Sequence, residues 1–302
     1  MIRGIVDLGS NTIRLSIYQC GPEGSHLLMN RKVMAGLADY VERGAMTPQG
    51  IQVACQVLRD YRALMDNLQF QDLHVFATAS LRNIVNTEEA VAQIQAETGL
   101  TVDVVSGAEE ARLSFLGAVD AGPDSGLLVD LGGGSTELVE YEARTIRTSC
   151  SLPMGSLSLF SGHVAGLHPR RGERRAIRTC VRQALEQRFP QPTPILHACG
   201  VGGTVRAACK TANLFFGRPA DCSFLSAKEL HQLLKRLKEP SREDLHLLLK
   251  AAPDRIHTLI PGMLALDTVS RFFQLEDITV SPCGVREGYL RERILKEYGT
   301  DA

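Results

Sequence analysis

The stretch Leu128-Val129-Asp130-Leu131-Gly132-Gly133-Gly134-Ser135-Thr136 restates Ile5-Val6-Asp7-Leu8-Gly9-Ser10-Asn11-Thr12. Each copy is an apolar run, one Asp and a turn of small residues. Each is followed by further strand-forming positions: Ile13, Leu15 and Ile17 in one, Leu138, Val139 and Tyr141 in the other. A strand that enters a small-residue turn and leaves as a second strand is a β-hairpin. Glycine lets the backbone of such a turn approach an anion closely, with its N–H groups aimed at a phosphate. The Asp at the strand end can hold a metal ion or a water beside that phosphate. Two such hairpins in one chain imply two half-sites facing each other.

The duplication extends beyond the hairpins. Val75-Phe76-Ala77-Thr78-Ala79-Ser80-Leu81-Arg82 falls within 198–206 at an offset of 124, which places Ser80 on Thr204 and Arg82 on Arg206. Asp7 and Asp130 are 123 apart, and the additional glycine of the second turn accounts for the difference. Between these marks, Thr47-Pro48 reads as a helix cap with Pro at the first helical position. Ser226-x-x-Glu229 reads as a capping box, and Ser241 as a further cap. Strand patterns at 73–77, 101–105, 126–131, 136–141, 195–199 and 278–281 alternate with helical ones, giving an α/β class. The best linker candidate, Ala121 to Gly126, divides the chain into domains at 1–121 and 122–302.

Composition narrows the function. The 302 residues carry a net charge of −1, which argues for neither nucleic acid nor an anionic membrane as partner. The eight cysteines include no C-x-x-C pair, which fits a reducing cytoplasm and argues against a disulfide framework or structural zinc. No apolar run approaches the ~18 residues of a membrane span, and the N-terminus enters a strand pattern at once.

Four groups of residues carry candidate chemistry. Asp130 to Glu137 reads as a phosphate cradle of Gly132, Gly133, Gly134, Ser135 and Thr136, or as a plain glycine hairpin; Ser10 and Asn11 stand in the matching turn. Asp7 and Asp130 are the metal-facing carboxylates. Glu137 is either a water-holding carboxylate or an exposed strand residue. Ser106 and Glu109 have capping-box spacing, which occupies Glu109 at its own helix start and leaves Glu110 as the freer carboxylate. Glu110 is then a catalytic base, or it merely complements the positive helix end. Arg82 presents a guanidinium suited to phosphate. Gly202-Gly203-Thr204 is a second phosphate turn or a tight strand–helix junction. Seven arginines between 170 and 188 put Arg171, Arg175, Arg178 and Arg182 on one helical stripe, read either as a track for a polyanion or as a solvated face.

Taken in order, these motifs resemble the exopolyphosphatase / guanosine pentaphosphate phosphatase (Ppx/GppA) family of the actin, Hsp70 and sugar-kinase superfamily. The matching motifs include Val6–Thr12, Thr78–Arg82 with Asn86, Gly107–Arg112, Val129–Glu137, Ser151–Gly155, Gly202–Thr204, Arg255 to Gly262 and Gly284–Gly288. The resemblance implies two ribonuclease-H-like domains with the active site in the cleft between them. It implies Mg²⁺-dependent removal of a terminal phosphate by an activated water, with Mn²⁺ as an alternative ion. It assigns the catalytic glutamate to Glu110, with Arg82 on the phosphate, and it resembles the short two-domain form. The expected substrate is inorganic polyphosphate, with hydrolysis of pppGpp to ppGpp as the alternative. Two other classes are a kinase or ATP-driven switch of the same superfamily, and a non-catalytic sensor. A homodimer is left open. At the repeat offset of 124, Glu110 meets Leu234, so the base is expected to have no counterpart.

Overall fold

The computed structural model describes residues 1–21 and 24–296, which form two compact units. The second takes Ala111–Gly288 and the first takes the other described residues, among them 289–296. The turn at 121–126, where the sequence places the boundary, lies inside the second unit.

The first unit is built on β1 (Ile2–Leu8), β2 (Ile13–Gly21) and β3 (Gly24–Val33), an antiparallel meander. A short hairpin, β4 (Val41–Glu42) and β5 (Ala45–Met46), leads into α1 (Pro48–Asn67). Then come β6 (Leu73–Ala77), α2 (Ala79–Arg82), α3 (Thr87–Thr98), β7 (Val102–Val104) and α4 (Gly107–Ala118). The sheet order is β3-β2-β1-β6-β7, with β6 and β7 parallel to β1 and its neighbour. The predicted cap starts α1: Thr47 Oγ1 accepts from the Gly50 N–H at 3.2 Å. Ile51, Ala54, Leu58, Tyr61 and Met65 then bury one face of α1 against Val6, Leu8 and Leu15 of the sheet. Asn86 has a structural task. Its amide exchanges two hydrogen bonds with the Met46 backbone, at 2.8 and 3.0 Å, and so pins the β4–β5 hairpin.

The second unit repeats the plan with β8 (Gly126–Leu131), β9 (Thr136–Glu142), β10 (Thr145–Leu152), α5 (Ser156–His163), α6 (Arg171–Arg188) and β11 (His197–Val201). It continues with α7 (Gly202–Phe216), β12 (Phe224–Ser226), α8 (Ala227–Arg236), α9 (Arg242–Ala251), α10 (Ile256–Phe273), β13 (Asp277–Val280) and α11 (Val285–Tyr289). The order is β10-β9-β8-β11-β13-β12: the five-stranded pattern of the first unit plus an antiparallel edge strand, β12. Meander, then two parallel strands, on the same side in both units, is the ribonuclease-H-like arrangement, present twice. The core helix is α10, buried from Thr258 to Ser270, as expected of a helix that is apolar all round. Close backbone approach sets the packing of α4 on α11. A Cβ on Gly117 would lie 1.9 Å from Gly284 O, and one on Gly288 1.8 Å from Leu113 O.

Two details of the repeat are corrected by the fold. The turns are equal in length: Gly9 N–H donates to Thr12 O at 3.1 Å, Gly132 N–H to Ser135 O at 3.0 Å, and β2 and β9 both start one residue later. Gly133 and Gly134 replace Ser10 and Asn11 rather than lengthening the loop. The shift to 124 instead reflects unequal connections to the next parallel strand, α1 in one unit, α5 and α6 in the other. Leu234 is likewise not the counterpart of Glu110. It is buried in α8, inside a connection that holds four helices where the first unit has two. The helix after the fifth strand is α4 in one case and α11 in the other, and α11 carries its own carboxylate, Glu287, which accepts from the Gly284 N–H at 2.8 Å.

Candidate phosphate site

Each turn has two of its carbonyls held, at different positions and by different elements. In the first, the carbonyls of Asn11 and Ser10 accept from the N–H groups of Gly36 (3.0 Å) and Ala38 (2.9 Å). In the second, Gly132 O accepts from Ser156 N–H at 2.9 Å, and Gly133 O from Leu157 and Ser158 N–H at 2.9 and 3.1 Å. The start of α5 therefore clamps the loop from behind, and Gly155 makes that possible: a Cβ there would sit 2.5 Å from Gly133 C and O. With the carbonyls bound, the N–H groups of Ser10, Asn11, Gly133 and Gly134 have no protein acceptor among the described residues. Uncommitted N–H groups on a turn whose carbonyls are fixed form an anion-binding concavity.

In the first unit, Asp7 is next to last in β1 and faces Arg14 across the hairpin. The Ser80 hydroxyl donates to Leu8 O, tying the turn after β6 to the end of β1. Glu110 lies in the first turn of α4 and is 7% exposed. Arg82 Nη1 donates to Glu110 Oε2 at 2.6 Å and to Val105 O at 3.0 Å, which fixes the carboxylate against the end of β7. Arg82, expected on phosphate, is thus placed on the candidate base. The predicted cap is present, with Ser106 Oγ accepting from Glu109 N–H at 3.2 Å, and the Glu109 carboxylate also meets the Arg293 guanidinium. The two adjacent glutamates have different partners.

In the second unit, Asp130 occupies the position of Asp7 and faces Glu137 across the hairpin. Ser114, reaching from α4, donates to Asp130 Oδ2 at 2.5 Å. Burial pushes the Asp130 carboxyl up, while Ser114, Arg206 and Arg286 pull it back and Glu287 adds to the rise. Gly202 is left-handed (φ +94°), and a Cβ on it would come 2.9 Å from Asp130 Oδ1. Only glycine gives both that backbone and that clearance. Arg206 donates to Ser281 O at 3.4 Å, just past β13, as Arg82 does to Val105 just past β7. The repeated arginine therefore makes the same backbone contact in both units. Arg255 lies on the Gly203 backbone, where a Cβ would be 2.3 Å from its Nη2.

Other predicted residues separate by their partners. Glu137 is 1% exposed and accepts from Ser151 Oγ at 2.8 Å, so it is not an exposed strand residue. The hydroxyls of Thr136 and Thr204 donate to Met154 O (2.7 Å) and Ser156 Oγ (3.2 Å), and Ser135 is buried at the turn's end. Gly202-Gly203-Thr204 opens α7, whose N-terminus has no side-chain cap. It is a strand–helix junction. The arginine stripe is partly consumed. Arg178 pairs with Asp267, and Arg182 with Glu186. Next to the stripe, buried Arg174 donates to Leu234 O and Leu237 O at the end of α8. Sequence reasoning did not single out Ser114, because a serine on the apolar face of a helix carries no local signal.

Among the described residues, no group of three or more His, Cys, Asp and Glu side chains forms a metal cage. Mg²⁺ needs none, since it binds through one or two carboxylates, waters and substrate phosphate. Asp130 fits that role: Oδ2 is oriented by Ser114, and the missing Cβ of Gly202 leaves room at Oδ1.

Two α/β units of one topology, each with a clamped anion turn beside a strand-end aspartate, define a phosphate-handling protein of the ribonuclease-H-like fold. The sequence profile of the Ppx/GppA phosphatase family matches residues 16–297, and the chain belongs to that family. It is 26% identical to Exopolyphosphatase 1 of Mycobacterium tuberculosis, covering 97% of this chain and 88% of that protein. The crystal structure of the Aquifex aeolicus Ppx/GppA family member matches over 98% of both chains, with 25% identity and a TM-score of 0.78. An exopolyphosphatase from Cytophaga hutchinsonii shares the fold at a TM-score of 0.83, over 96% of both chains and with 23% identity.

Proposed function

We propose that the protein is an exopolyphosphatase that removes the terminal phosphate of inorganic polyphosphate. The observation that carries this reading is the paired turns, each with two carbonyls bound and with N–H groups that remain available to phosphate oxygens. Glu110 is the base. A water attacks the terminal phosphorus, the bond from that phosphorus to the bridging oxygen breaks, and the Glu110 carboxylate takes the water's proton. The products are phosphate and a chain shorter by one unit. Arg82 acts as a positioning residue, holding Glu110 Oε2 at 2.6 Å. Because the transition state of such a transfer spreads charge over the phosphoryl oxygens, fixed N–H donors supply much of the catalysis. Asp7 and Asp130 are the residues to hold Mg²⁺, which when bound neutralises charge on the phosphates. The kinase reading is disfavoured by the chain's membership of the Ppx/GppA phosphatase family.

The test is phosphate release from purified protein on polyphosphate and on pppGpp, each with and without Mg²⁺. Release from polyphosphate, dependent on Mg²⁺ and faster than from pppGpp, is the expected result. Faster release from pppGpp would replace polyphosphate with the guanosine substrate, and inertness toward both would remove the enzymatic reading.

A further inference from the structure

The arginines of α6 lead to a second cavity, of about 640 Å³, formed by α6 with its following loop, His231, Lys238 and the end of α10. It is separate from the turns. Gly262, which contacts Thr204, and Arg271 of the cavity are nine residues apart on α10, or about 13 Å along a helix. Its volume lies within the ~300–1,000 Å³ usual for small-molecule sites.

The cavity has two chemically different sides. One is cationic and built around a buried carboxylate. Asp267 is 2% exposed and receives Arg178 Nη1 at 2.6 Å, Arg271 Nε at 3.2 Å and His231 Nδ1 at 3.6 Å. Arg271 Nη2 also meets His231, at 3.2 Å from Nε2. One carboxylate among these groups fixes two guanidinium planes and leaves the surroundings positive. Among the described residues, Arg182 pairs only with Glu186 of its own helix and the Lys238 ammonium has no protein partner, and both add to that side. The other side is apolar, formed by Phe189, Phe272, Pro190 and Pro192. Phe189 and Phe272 each rest edge-on against Phe273, with ring centroids 5.1 Å apart, so both rings are held in place.

Fixed guanidinium groups suit phosphate oxygens, and held aromatic rings suit a planar base. A bare polyphosphate would use only the first side. We propose that this cavity is a second ligand site, which binds a purine nucleoside diphosphate with its phosphates on Arg182, Lys238 and Arg271 and its base against Phe189 and Phe272. This site lies outside the proposed reaction and does not depend on it.

Calorimetric titration with ADP, GDP and pyrophosphate tests it. The proteins are wild type, the double variant Arg182→Ala/Lys238→Ala, and Phe272→Leu. Unchanged circular dichroism and thermal unfolding midpoint report an intact fold in both altered proteins. The double variant is expected to bind ADP or GDP at least about tenfold more weakly, as loss of charge-assisted contacts dictates. Phe272→Leu is expected to weaken the nucleotide but not pyrophosphate. Three results would overturn the proposal: no nucleotide binding by wild type, unchanged affinity in the double variant, or pyrophosphate binding as tight as ADP.

Discussion

Gly155→Ala tests whether the turn at 132–135 works because it is clamped. The added methyl would lie 2.5 Å from Gly133 C and O and 2.6 Å from Gly132 O, all backbone atoms. Ordinary contact begins near 3.5 Å, so the turn or the start of α5 must give by roughly 1 Å. Overpacking of this kind costs about 1–3 kcal/mol, which lowers the midpoint of thermal unfolding by roughly 2–12 °C in a unit of this size. The functional loss is larger in proportion, because ~1 Å of misplacement at a reacting group costs about 100-fold in rate. Gly162→Ala is the control in the same helix. Nothing lies within 4 Å of its added methyl, and the helix gains about 0.5–1 kcal/mol from alanine. Calorimetry with steady-state phosphate release on polyphosphate reads both. Near wild-type kcat/KM in Gly155→Ala, with Gly162→Ala also unchanged, would refute the view that the clamped carbonyls set the turn's function.

Other outcomes follow from particular contacts. Ser114→Ala strips a buried carboxylate of its donor and should cost about 1–3 kcal/mol in denaturant unfolding, with a fall in kcat. Arg82→Lys keeps the charge but loses the planar guanidinium whose Nη1 reaches both Val105 O and Glu110 Oε2; kcat should fall at least about tenfold, with KM for polyphosphate changed less. Alkylation should be selective. Burial raises the thiols of Cys55, Cys150 and Cys209 to about 11 and that of Cys199 to about 12, whereas Cys180 and Cys222 are half-buried. Mass spectrometry after brief iodoacetamide treatment at pH 8 should find the label on Cys180 and Cys222 and not on those four.

The hairpins, the strands and the capped helices were legible because each is local. An apolar strand, a small-residue turn and Ser226 or Thr47 before a periodic run are signals a few residues long. That the two halves share one plan was legible once Asp7 and Asp130 were matched, but the strand order of neither sheet was. What the sequence misjudged was long-range. A fixed offset cannot pass through connections of different content, so Glu110 was compared with Leu234 instead of with α11. Arg174 reads as one more charge on a polar face, yet it is buried because the end of α8 offers it two carbonyls. The convergence of Val105 and Glu110 on Arg82 is likewise long-range and visible only in the fold. Helix α10 lacks a polar stripe, so periodicity does not mark it; its burial on all sides is a property of the second unit's packing.

The central claim is that Glu110 activates the water. Glu110→Gln keeps the shape of the side chain and its acceptor for Arg82 but cannot take a proton at neutral pH. Phosphate release from polyphosphate with Mg²⁺ should fall about 10²–10⁴-fold while polyphosphate is still bound. Turnover near that of wild type would contradict the account.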